Sequence, residues 1–188
     1  MTVLRAEGRM WRSLFGWARA DRPDGVRTFG YGRQVRPLLY AVAALAIVEG
    51  VVIDFLIGLF TDSVTATIVA AAIHVYALCW LLGIVASLRT RPHEIGDGRI
   101  RLRNSVFSGL DIPVSAIETV EVCRVDGSGF SGVEVDEDAR TATLRHGDAT
   151  VRLHLRSLEI AGVGVDRLDV TAADPGAFVR AIRHTRTQ

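Results

Sequence analysis

Three ionisable side chains stand inside the two most apolar stretches of this 188-residue chain, and they are the first place to look for chemistry. Glu49 and Asp54 interrupt the run Leu38 to Phe60, and His74 interrupts the run Val64 to Leu88. A carboxylate and an imidazole can share a hydrogen bond, relay a proton or contribute to a metal site. Counted from Asp62 between the runs, Glu49 lies thirteen residues back and His74 twelve forward, a mismatch of about 1.5 Å in helical rise. Ala46, Glu49, Gly50 and Ile53 share one side of the first helix, and Thr67, Ala70, Ala71, His74 and Ala77 share one side of the second. Small residues along that seam allow close approach. The expectation is a Glu49 to His74 pair, read as glue between helices, as a proton-linked site, or as part of a metal site. Asp54, about 140° round the helix from Glu49, is expected to reach headgroup water or a second subunit. A metal needs more ligands than these three supply in one chain, so no metal is expected.

The elements that must position these groups follow from length. Each run is close to the ~20 residues that cross a bilayer as a helix, and only Thr61, Asp62 and Ser63 separate them. The pattern predicts a membrane α-helical hairpin of two transmembrane helices, 38–60 and 64–88, within a segment 38–91. Ionisable groups there cost from roughly 2.5 kcal/mol upward, so each calls for a partner or an aqueous cavity. Arg33 and Arg36 flank the first span, Arg89 and Arg91 the second, and the turn has no Arg. The positive-inside rule then predicts a multi-pass protein of the plasma (inner) membrane with both termini cytoplasmic. The first apolar run starts too late and runs too long for a secretory signal. Cys79 lies in a span and Cys123 beyond it, with no CxxC or Cys/His metal spacing, so neither a disulfide nor a cofactor is expected.

Residues 1–37 form a cationic arm, with eight Arg against Glu7, Asp21 and Asp24. Val3, Leu4, Met10, Trp11, Leu14, Phe15 and Ala18 recur at helical spacing, and Arg5, Arg9, Arg12 and Arg19 fall mostly on the other face. This is the pattern of a basic amphipathic helix on the inner membrane surface. Trp11, Phe15 and Trp17 suit the headgroup boundary, and each nearby Arg adds on the order of 1 kcal/mol at an anionic leaflet. A plain tail, or a helix packed on the rest of the protein, is the alternative. Gly30-Tyr31-Gly32 follows no apolar strand and reads as linker rather than nucleotide loop.

From Pro92 onward the pattern changes to short alternating runs between turn residues. Strands are predicted at 98–104, 110–114, 117–125, 130–135, 139–145, 149–156 and 163–171. Asp174 and Pro175 then start a helix that buries Phe178, Ala181 and Ile182. Seven strands and a terminal helix describe a small, mainly-β antiparallel barrel or sandwich with the helix closing one end. Arg91-Pro92-His93-Glu94-Ile95, Asp97-Gly98-Arg99-Ile100-Arg101-Leu102-Arg103 and Ile112 to Val120 resemble the opening of bacterial pleckstrin-homology-like (PH-like) domains. With the two preceding spans, the chain resembles uncharacterised actinobacterial membrane proteins of that build over roughly residues 36 to 185. The resemblance implies a PH-like β domain over 92–188 and a membrane-associated role, and it brings no catalytic residues. The loop between the first strands is very short here, unlike a phosphoinositide pocket of the eukaryotic kind.

Arg99, Arg101 and Arg103 alternate with apolar residues, as do Arg152, His154 and Arg156, so each strand has one cationic face. If the two strands share a sheet face, they offer a contact for anionic headgroups or an acidic partner. Otherwise local acids such as Asp111, Glu118 and Glu121 balance them. The run Glu134, Asp136, Glu137, Asp138 lacks the glycine and terminal Glu of a calcium loop. His93, His146, His154 and His184 stand without a nucleophile motif and are expected at the surface. The sequence therefore reads as a membrane-tethered interaction or scaffold module rather than an enzyme. Its expected partners are the bilayer, anionic headgroups and a membrane or cytoplasmic protein, with no nucleic acid. The alternative is a subunit of a small oligomeric proton- or ion-linked carrier or channel that uses Glu49, Asp54 and His74.

Overall fold

A computed structural model describes residues 3–15, 25–61, 63–107, 109–127 and 130–186. Asp62 and Trp17, used in the reading above, lie outside them. Two helices dominate: α2, Arg36–Phe60, and α3, Val64–Thr90, are each long and apolar enough to cross a membrane. Their outer surfaces keep large apolar side chains exposed, from Leu38 to Phe60 on α2 and from Val64 to Leu82 on α3. Pro37 at the start of α2 loses nothing, because the first helical N–H groups have no intrahelical partner. At the turn, Ser63 Oγ accepts from Ala66 N–H at 3.3 Å and so caps α3.

Before the hairpin come helix α1, Val3–Phe15, and strand β1, Arg27–Phe29. After it run β2 (His93–Gly96), β3 (Arg99–Leu102), β4 (Leu110–Pro113), a 3-10 turn (Val114–Ala116), β5 (Ile117–Val125), β6 (Phe130–Asp136), β7 (Thr141–His146), β8 (Ala149–Ile160), β9 (Val163–Val170) and helix α4 (Pro175–Arg186). The strands make two sheets, ordered β1-β2-β3-β4 and β5-β8-β9-β7-β6. All pairings are antiparallel except the parallel β7 to β9 ladder. The expected barrel does not close. The 3-10 turn swings the chain off the first sheet after Pro113, and β4 and β5 are not joined by a ladder.

The two sheets and α4 share one core. Ile95, Ile100 and Ile112 come from the first sheet, Val120, Leu153 and Leu168 from the second, and Phe178 and Ile182 from α4. Alternation along each strand puts these residues on one face. Asp174 begins α4 as expected, its carboxylate accepting from Ala177 N–H at 2.9 Å.

The strands at 99–102, 110–113, 117–125, 130–136, 141–146, 149–160 and 163–170 follow the sequence reading closely. Two were missed. β2 pairs on one side with β3 and on the other with β1, which comes from the arm: Arg27 faces Ile95 and Phe29 faces His93. The arm 1–37 is thus not a separate piece, since residues 27–29 add an edge strand to the first sheet. Three residues carry too short a pattern to be read as a strand; only the neighbouring edge of β2 makes them one.

Candidate functional site

Inside the hairpin, the structure corrects the expected pairing. His74 Nδ1 meets Asp54 Oδ1 at 2.9 Å, while Glu49 is exposed and, among the described residues, has no hydrogen bond or ion pair. The reason is the direction in which helical side chains lean. Every Cα–Cβ bond tilts toward its own helix N-terminus. In an antiparallel hairpin, His74 therefore leans toward the turn and Asp54 leans away from it, so the two converge although their Cα atoms differ in height. Glu49 leans away from His74. Gly50, not Glu49, faces the imidazole: a Cβ there would lie 3.4 Å from His74 Cγ, and Asp54 is one turn further along the same face. The pair is partly open, at 30% and 28% side-chain exposure. It borders a groove of about 180 Å³ lined with Ala46, Gly50, Ala71 and Val75.

At the other end of the hairpin, the end of α3 joins the rest of the chain: Gly83 lies against Met10 of α1, Leu88 packs with Tyr31 and Val35, and Ser87 meets Ser105. Gly83, Val85, Ala86, Ser87 and Leu88 are all buried. Ser105 is the centre of this joint. Its backbone N–H donates to Tyr31 Oη at 2.8 Å, its carbonyl accepts from the Arg91 guanidinium at 2.8 Å, and its hydroxyl meets Ser87 Oγ. Ser87 donates its own proton to Ile84 C=O at 2.7 Å, which leaves Ser105 as the donor between the two hydroxyls. Around this centre, Arg36 donates to the Leu88 carbonyl at 3.3 Å and Asp148 N–H donates to Gln34 Oε1 at 2.7 Å. Gly32 packs so closely on Leu88 that a Cβ would lie 2.8 Å from it.

Beside the joint is a buried aromatic and imidazole cluster that the sequence reading missed. Tyr31 stacks on His93, with centroids 4.4 Å apart, and lies tilted against His146 at 4.5 Å. All three are fully buried. His93 Nδ1 accepts from Arg103 N–H at 3.0 Å, so the proton sits on Nε2, which donates to the Thr171 carbonyl at 3.1 Å. Burial, with repulsion from His146 and Arg103, pushes the His93 imidazole down to about 3, and burial pushes His146 down to about 4. Burial raises the Tyr31 phenol to about 12 against the pull of Ser105 N–H and nearby arginines. The expectation of surface histidines fails at these two positions. The signal was present: His93 precedes Ile95 by two residues and His146 follows Leu144 by two, so both share the inward face of their strands.

The cationic strands do not form one patch, because β3 and β8 belong to different sheets. Each cation also has an acid. Arg99 meets Asp111 at 2.8 Å, Arg103 meets Glu94 at 2.9 Å and Arg101 lies 3.7 Å from the same carboxylate. Arg152 holds Asp169 with two bonds of 2.8 and 3.0 Å, Arg156 lies 3.6 Å from Glu118, and His154 lies 3.3 Å from Glu121.

The arm helix α1 does form, and it packs on α3 rather than standing apart. Ala6, Met10 and Ser13 are buried along one side, and Met10 sits against Gly83. Tyr76 Oη donates to Glu7 at 3.0 Å and accepts from Trp80 Nε1 at 2.9 Å. Trp11 and Phe15 stack 5.8 Å apart, with Phe15 fully outward.

No known protein family, no curated protein and no solved structure matches the chain.

Proposed function

We propose that the chain is a two-span plasma-membrane protein with both termini cytoplasmic, whose β region is a PH-like interaction module held in fixed orientation at the bilayer. The observation that carries this reading is the Ser105 joint. One buried serine ties the linker before α2, the end of α3 and the β region together through all three of its polar groups. A flexible tether would let the β region tumble, whereas this joint presents its surface to a partner at a set height and angle, which lowers the entropic cost of recruiting it. The exposed apolar band on α2 and α3 supports a bilayer setting, since a soluble monomer rarely leaves so large a contiguous apolar surface uncovered. Arg36, Arg89 and Arg91 at the joint support its cytoplasmic side. A succession of strands closed by α4 over Phe178 supports the PH-like assignment. Trp11 and Phe15 at the foot of the hairpin add a hold on the headgroup region.

Cysteine accessibility tests the arrangement. Thr61→Cys is expected to react with an impermeant maleimide on intact cells, and Asp138→Cys only after lysis. The reverse pattern refutes it. Purification in mild detergent is expected to bring down a stoichiometric protein partner. The Asp54–His74 pair beside an open groove favours a second reading, an oligomeric proton- or ion-linked carrier. Vesicles holding the pure chain that acidify under an imposed gradient, and stop doing so with His74→Leu, would favour it over the first.

A further inference from the structure

Glu49 is the fourteenth of the 25 residues of α2, close to its midpoint, and its side chain faces outward. It lies about 100° round the helix from Gly50 and 140° from Asp54, so it cannot turn into the groove that those residues line. With the hairpin in a bilayer, a carboxyl group faces hydrocarbon halfway across, which is costly unless a polar group covers it. Among the described residues, the same chain brings no such group to Glu49. Its histidine is held by Asp54 through Nδ1, leaving Nε2 as the remaining hydrogen-bonding atom of the ring.

A second copy supplies what is missing on both sides. Glu49 is eleven residues before Phe60, the end of α2, and His74 is ten residues after Val64, the start of α3. Copies inserted with the same topology therefore carry the Cα atoms of Glu49 and His74 at depths that agree within about 1.5 Å; because the two side chains lean apart at equal depth, the flexible Glu49 side chain has to bend back toward the turn to bring its carboxyl group to the ring. The remaining ring nitrogen Nε2 and a carboxyl group are complementary hydrogen-bonding partners, and the groove beside His74 is floored by small residues and is open. We infer that copies associate within the membrane through unlike faces, Glu49 of one copy entering the groove of the next and bonding to its His74. Each Asp54–His74 site is then completed by a carboxyl group from a neighbour. Because the two faces differ, the contact is heterologous and builds a ring or a row rather than a two-fold dimer. This inference rests on the hairpin spanning the bilayer.

Disulfide cross-linking between co-expressed, differently tagged chains tests it, in a background with Cys79→Ser and Cys123→Ser. One chain carries Val52→Cys, on the exposed flank next to Glu49, and the other Val75→Cys, on the groove wall. Copper-phenanthroline treatment of membranes is expected to join the two tags, while neither variant alone forms a covalent dimer. Adding Glu49→Leu to the Val52→Cys chain should lower the yield at least roughly threefold, the scale of one intramembrane hydrogen bond, and Glu49→Gln should keep most of it. Alkaline extraction is run on every sample. Chains that stay in the membrane yet give no mixed product, cross-link as readily through Val52→Cys alone, or ignore Glu49→Leu overturn the contact. Chains released by alkali overturn the spanning reading and the contact with it.

Discussion

Acid should loosen the joint between hairpin and β region before it affects the rest of the molecule, and His93 provides the magnitude. Its ring is locked as the Nε2–H tautomer, with Nδ1 facing the Arg103 N–H donor at 3.0 Å. A second proton on Nδ1 would set donor against donor and place a charge in a fully buried site. The folded-state value of about 3 lies below the ordinary 6.5, so the unfolded chain takes up the proton first. Stability is therefore fully present above pH 6.5 and is lost as pH falls from 6.5 toward 3. At pH 5, 1.5 units into that window, His93 contributes a loss of roughly 2 kcal/mol. His146, held near 4, adds a similar loss. Together about 4 kcal/mol is a large share of the 5–15 kcal/mol typical of a folded domain. Denaturant unfolding of the nanodisc-bound protein, followed by near-UV circular dichroism between pH 7.5 and 5, measures it. The variant His93→Gln keeps a donor for Thr171 but cannot titrate. It should start roughly 1–3 kcal/mol less stable at pH 7.5 and lose stability with about one proton less in its slope. A free energy that stays level from pH 7 to pH 5, or a variant slope equal to that of the parent, would refute the argument.

Three further outcomes are expected. A double-mutant cycle on Asp54→Leu and His74→Leu in dilute detergent should show a coupling of about 0.6–1.7 kcal/mol, whereas Glu49→Leu with His74→Leu under the same conditions should show none; unfolding by sodium dodecyl sulfate reads both. Ser105→Ala keeps the backbone contacts but removes the hydroxyl donor to Ser87, and thermal unfolding should register a loss of about 1–3 kcal/mol. Gly83→Leu places a side chain where Met10 packs, so α1 should leave α3, seen as faster proteolysis after Arg9 or Arg12 with the β region still intact.

Long-period features are legible in the sequence itself. Two apolar runs of this length read as helices long enough to cross a membrane, and α2 and α3 are each long and apolar enough to do so. The six strands from Leu110 to Val170 announced themselves by alternation and by glycine or Asp-rich turns, and α4 by its Asp174 cap. Local acids near the cationic strands were also visible, and Asp111, Glu118 and Glu121 do meet Arg99, Arg156 and His154.

What the tertiary structure decided is which side chains meet. Depth and face along single helices pointed to Glu49 for His74, but the opposite lean of side chains on antiparallel helices brings Asp54 there instead. β1 exists only because β2 offers it an edge, and Ser105 matters only because three distant segments end on it. Tyr31, His93 and His146 lie 62 and 53 residues apart in turn, too far for any local period to join them. Sequence spacing reports the surroundings of a residue within its own helix or strand. Contacts between elements depend on how those elements turn and lean against each other, and that is a property of the packed chain.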